Sequence, residues 1–214
     1  MDEQHTLDSL SSPSCFPFRI DYAHPQAVTH FTKHLLDAVH RMNHQGEIVC
    51  VCIGTDRSTG DALGPLVGSK LERLNPRGIT VFGTLDEPVH AVNLQDTLQL
   101  VHLEYPDTTV IGIDACLGRL GSVGHLHLGM GPLKPGTGVH KKLPEVGQLH
   151  ITGIVNVGGF MEYFVLQNTR LSTVMKMADT IASSLYLTAI RLRDHRSTSH
   201  IRASRRRDPT TYRR

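Results

Sequence analysis

The hydrophobic pattern alternates between short apolar runs and amphipathic stretches. Residues 48–53 (IVCVCI) and 109–113 (TVIGI) read as buried strands, and 79–82 as a third, shorter one. Between them lie helical patterns. Phe31, Leu35, Val39 and Met42 share a face over residues 28–43, with Gly46 as a stop. Leu63, Val67, Leu71 and Leu74 do the same over 61–74, where Asn75-Pro76 ends the helix and Gly64-Pro65 sits in the tolerant first turn. Asn93 is placed to cap a helix running to about 105, with Leu94, Leu98 and Val101 inward. Further on, residues 122–128 alternate like a strand, 129–138 form a Gly/Pro loop, and 150–157 make a strand interrupted by Gly153. A helical region opens near residue 160 and breaks near 168. A last helix spans 172–193 on Val174, Met177, Ile181 and Leu185.

Strands alternating with helices predict an α/β fold: a three-layer α/β/α sandwich around a mostly parallel, twisted sheet. The organisation expected is a flexible leader over 1–27, one α/β domain over 28–193, and a basic, disordered tail over 194–214.

At 214 residues and 39% hydrophobic the chain supports one domain with a true core. No apolar run approaches a membrane span, and the polar first residues do not form a signal peptide pattern, so a cytoplasmic location without membrane contact is expected. Cys15, Cys50, Cys52 and Cys116 form no C-x-x-C pair, which suits reduced thiols. The net charge of +2 conceals a tail with nine Arg and two Asp from residue 191 onward, so the rest of the chain is negative. That tail suits either a plain solvated terminus or weak electrostatic contact with nucleic acid or an acidic partner.

The chemistry concentrates after the strands, where open α/β sheets bind ligands. The loop from Gly54 to Gly60 and the residue after it, Asp61, follow the first strand; Asp114 follows the strand 109–113. Two converging carboxylates share a proton and can divide acid and base roles. Each Asp also has a structural reading, Asp61 as a helix N-cap and Asp114 as a hydrogen-bonded strand terminus. Asp56, Ser58 and Thr59 share the first loop, but its spacing matches neither a P-loop, a dinucleotide fingerprint nor a G-x-S-x-G elbow. Cys116 is a candidate nucleophile without a supporting signature. His125 and His127 would face one side of a strand, either as half a metal site or as a polar face. The loop 134–139 offers backbone amides for a carbonyl oxygen or an anion.

These motifs resemble the spore germination protease group, and most closely its shorter YyaC-type relatives in endospore-forming bacteria. The resemblance rests on Gly54 to Pro65 with its ending Asp61-Ala62-Leu63-Gly64-Pro65, on Ile113-Asp114-Ala115, on Pro135-Gly136-Thr137-Gly138-Val139, and on the segment 151–159, in that order. It implies a fold like that of hydrogenase maturation endopeptidases. It also implies peptide-bond hydrolysis by carboxylates, with small acid-soluble spore proteins as substrates. By position the catalytic acids fall on Asp61 and Asp114. Thr55, Asp56, Gly136, Thr137 and Gly138 are the expected substrate contacts, with no cofactor and no resident metal. The chain is shorter than a germination protease, and the family's Asn after the first glycine is Thr55 here. Two other readings remain: a sporulation protein that binds peptides without cutting them, and a metal-dependent peptidase using Asp61, Asp114 and a histidine. Oligomeric state is not legible.

Overall fold

The computed structural model describes residues 16–42, 47–136 and 143–205, with side chains of the last helix described as far as residue 194. Six strands form one sheet: β1 (Phe18–Asp21), β2 (Ile48–Cys52), β3 (Ile79–Phe82), β4 (Thr109–Gly118), β5 (His125–Met130) and β6 (Leu149–Val157). Their order is β1-β5-β6-β4-β2-β3. The block β6-β4-β2-β3 is parallel, while β5 and β1 are added antiparallel. Helices α1 (Ala27–Arg41), α2 (Leu63–Leu74), α3 (Leu94–Glu104), α4 (Glu162–Gln167) and α5 (Leu171–Arg205) complete the fold. This is the α/β architecture expected, with a mixed, mostly parallel sheet.

The layers are unequal. On one face α1, α2 and α5 bury Phe31, Leu35, Leu63, Val67, Met177 and Ile181 against Cys50, Ile111, Ile113, Leu126 and Ile151. On the other, α3 and the segment after β5 cover a smaller cluster of Val49, Val51, Val89, Leu94, Leu133 and Val146. Alternate residues of β2 feed the two clusters, as the period of two requires. Gly153 does not interrupt β6. A side chain there would collide with Leu63 and Met177, so the glycine lets α2 and α5 close on the sheet.

Two boundaries differ from expectation. Residues 18–21 of the expected leader form an edge strand, with Phe18 opposite Leu128 and Ile20 opposite Leu126. Phe18 stacks on His34 at 3.6 Å and packs with Ile20 against the core. Deleting residues 1–22 removes four half-buried side chains packed on the core, Phe16, Phe18, Ile20 and Tyr22, and is therefore expected to cost about 4 kcal/mol and to lower the melting temperature by roughly 8–16 °C. It also bares the β5 edge to self-association. Calorimetry and light scattering of the truncated chain check this; an unchanged melting point would return these residues to a loose leader. At the other end, α5 continues past residue 193 to Arg205, where a disordered tail was expected. Arginine is a good helix former, and a helix already anchored by a buried face extends at little cost. The last nine residues lie outside the described ones.

No helix among the described residues is long and apolar enough to cross a membrane.

Candidate active site

Asp61 and Asp114 line one cleft of about 530 Å³ at the carboxyl end of the parallel strands. With them stand Cys116, Thr152, Lys134, Gly136, Glu162 and Tyr163. The acid pair was legible from sequence, but its geometry was not.

Asp61 comes from a folded-back loop. Gly54, at φ 149°, brings its Cα against the Asp61 carbonyl, and no residue with a Cβ fits there. Thr55 N–H donates to the Asp61 carbonyl (3.2 Å), and Arg57 N–H donates to Thr55 Oγ1 (3.2 Å). The loop is pinned from outside by Gly60 N–H donating to Leu166 C=O (2.8 Å). Thr55 therefore builds the loop, and Asp56 is exposed. Neither lines the cleft, against the expectation that both touch substrate. Nor is Asp61 a helix cap: α2 begins without any side-chain capping bond. Its carboxyl is left to the cleft. Burial raises its pKa, and the Ser58 hydroxyl, which completes no full hydrogen bond of its own, partly offsets that rise.

Asp114 lies within β4 rather than at its end. β2 stops pairing at Cys52, opposite Ile113, while β4 continues with β6 to Gly118. The side chain thus emerges where the neighbouring strand turns away. Asp114 Oδ1 accepts a hydrogen bond from Ala115 N–H (2.8 Å), which leaves Oδ2 to hold a proton. Burial pushes this carboxyl up to about 8; the Ala115 bond opposes the rise, and the charge of Asp61 adds to it. Because the charge of Asp61 is already present when Asp114 titrates, Asp61 gives up its proton first and Asp114 holds its own to about pH 8, two roles set by environment.

Sequence reasoning did not single out Thr152, Glu162 or Tyr163. Thr152 sits opposite Asp114 on β6 and hydrogen-bonds Cys116. Glu162 Oε1 accepts from Gly159 N–H (3.2 Å), which ties the start of α4 to the end of β6. Only the parallel register of β4 and β6 could have revealed Thr152. Gly136 lines the cleft at φ 70°, whereas Thr137 and Gly138 lie outside the described residues. Lys134, also in the wall, pairs with Glu145 at 3.2 Å.

The remaining candidates sit elsewhere or are muted. Burial and the neighbouring Asp114 push the Cys116 thiol up to about 11, with the Thr152 bond opposing, so it is a poor nucleophile at neutral pH. Ser58 is buried. His125 and His127 do share a sheet face, near His150 and Arg19, which with burial hold His127 below the usual imidazole range. Among the described residues no group of three or more His, Cys, Asp or Glu is placed to hold a metal ion.

A family model described as a protein of unknown function (DUF1256) matches residues 19–184. The chain belongs to this family. A Bacillus subtilis (strain 168) relative, described as uncharacterized protein YyaC, is 62% identical over 141 residues, covering 66% of this chain and 69% of its own. The YyaC-type resemblance read from the motifs is thereby shown. Among solved structures, the [NiFe] hydrogenase maturation protease HycI from Thermococcus kodakarensis KOD1 matches with a TM-score of 0.42 and 16% identity, over 65% of this chain and 92% of that one. The family match runs from β1 into the first part of α5, so it includes every described residue of the cleft.

Proposed function

We propose that this protein is a peptidase in which Asp61 and Asp114 act as an acid–base pair. The observation that supports this best is their unequal standing in one cleft: Asp114 holds its proton to about pH 8, and Asp61 loses its own first, its charge adding to that hold. Asp61 accepts a proton from a water as its oxygen bonds to the peptide carbonyl carbon. Asp114 gives its proton to the departing amine nitrogen as the C–N bond breaks. The wall at Lys134 and Gly136 faces the cleft where the substrate carbonyl would lie. The resemblance to germination proteases makes small acid-soluble spore proteins the first substrates to try, in a sporulating cell.

Purified full-length protein is incubated with these spore proteins, with and without chelator, and fragments are read by mass spectrometry. Defined cleavage is expected, indifferent to chelator and reduced about 10²–10⁴-fold in Asp61→Asn and Asp114→Asn. Activity should fall as pH rises through about 8, where Asp114 loses its proton. Binding without cleavage would favour the peptide-capture reading, and chelator sensitivity the metal-dependent one.

A further inference from the structure

The edge of β4 beyond its partner is not explained by the acid pair. β2 and β4 pair from Ile48–Thr109 to Cys52–Ile113, and Ile53 N–H makes a last bond to the Ile113 carbonyl (2.7 Å). On the other side β4 goes on pairing with β6 for five more residues, Asp114 to Gly118. Along a strand, backbone groups alternate sides. Ile113 faces β2, so Ala115 and Leu117 face the same way, into the space β2 has left. The phase survives the irregularity after Cys116, because its extra residue, Val155, belongs to β6. Gly118 confirms this, as its carbonyl accepts from Gly158 N–H (2.8 Å) on the β6 side.

Of the groups on this open edge, Ala115 N–H is taken by Asp114 Oδ1. The Ala115 carbonyl and both backbone groups of Leu117 pair with no strand among the described residues. All of Asp114 to Gly118 are only half-buried. Asp114, Ala115, Cys116 and Leu117 line the same cleft as Asp61. An interior strand that ends as an accessible edge is a template for another chain. The cleft is also lined by Tyr163 and Leu166; Tyr163 is 65% exposed, and its chain neighbours Phe160 (87%) and Phe164 (54%) are exposed as well. Isolated exposed apolar residues are ordinary, but several in one short stretch beside a functional cleft mark an interaction surface.

We infer that the occupant of this cleft binds as an added β-strand along Ala115–Leu117, so that the protein takes extended, unfolded segments with large apolar side chains rather than folded surfaces or helices. This rests on reading the cleft as a peptide site and deepens it by specifying the bound conformation. Main-chain bonds to the Ala115 and Leu117 carbonyls supply register, and side chains on alternate positions reach Tyr163 and Leu166 of the cleft lining. The arrangement also sets the acid pair at one end of the bound strand, since Asp114 immediately precedes the edge.

The test uses single N-methyl groups, each of which deletes one peptide N–H. Full-length Asp61→Asn protein is first offered an array of decapeptides tiled through a small acid-soluble spore protein and through casein. The best-bound decapeptide is then made with one N-methyl at each position in turn, and affinity is read by fluorescence anisotropy. Strand addition predicts a loss of about tenfold or more at two positions, i and i+2, with little change at i+1. Losses without that alternation, alongside cleavage by the unaltered protein, would overturn the strand reading and leave the peptidase intact. The alternating pattern without cleavage would overturn the peptidase and leave the strand reading. An array in which no decapeptide binds overturns both.

Discussion

Asp114→Asn should yield a protein that is more stable than its parent at pH 8 and unable to cleave. Burial holds the Asp114 carboxyl near 8 instead of its ordinary 3.8. Below about pH 4 folded and unfolded chains both carry the proton. Between about 4 and 8 the folded chain keeps a proton that the unfolded chain has released, so stability falls as pH rises; above about 8 the whole cost is in place. A shift of this size corresponds to about 6 kcal/mol at most, and partial access to water reduces it, so a gain of roughly 2 kcal/mol or about 4–8 °C at pH 8 is expected. The amide oxygen still accepts from Ala115 N–H, so the strand keeps its local bond. The pH dependence of melting between 4 and 8 should flatten in the variant. A variant less stable than the parent at every pH would make Asp114 a structural residue and remove the basis for its catalytic role.

Gly64→Ala should be damaging despite the better helix propensity of alanine. A Cβ at Gly64 would fall on the backbone of Ile53, and one at Gly68, a turn later, on the carbonyl of Gly83. The α2 face thus rests directly on the ends of β2 and β3, with main chain against main chain. Nothing there is a flexible side chain that can swing aside. Overpacking costs about 1–3 kcal/mol where side chains absorb it, and the upper end or more is expected here, roughly 6–12 °C in melting temperature. The displacement also reaches function, because Asp61 precedes α2 by two residues and moves with it. Gly68→Ala is the informative companion: it should lose similar stability but retain more activity, since its collision is at β3. Equal and mild effects in both would mean that α2 is free to shift.

Gly64 was visible in the sequence, but only as part of a tolerated first turn, and Gly68 was not singled out. Two glycines four apart inside a helix, each costing about 1 kcal/mol against alanine, needed a partner surface that no local pattern names. The elements that could be read were those whose signal is local: the apolar run 48–53, the stripe on α2, and an Asp after each of the runs 48–53 and 109–113. Asp61 and Asp114 followed from that logic. What escaped depended on distant partners. β1 is four residues long, and its strand character exists only opposite β5, over a hundred residues away. β4 was cut short at residue 113 because Asp114-Ala115-Cys116 has no strand pattern of its own and is held by β6. Thr55 and Asp56 were drawn to the site by their position in the motif, whereas backbone bonds commit one to the loop and solvent takes the other.

β2 is an interior strand, held between β4 and β3. Cys50 and Cys52 both point into the helical layer, wholly buried, while Cys116 is partly accessible in the cleft. Burial lifts the Cys50 thiol to about 12, so neither central thiol can react with an alkylating reagent until the sheet itself opens. Their labelling rate therefore times global opening of the molecule, while that of Cys116 reports shielding of the cleft by whatever lies in it. With Cys15 replaced by serine, one mass-spectrometric time course reads ligand occupancy and unfolding side by side, without a fluorophore, in a chain that has no tryptophan to provide one.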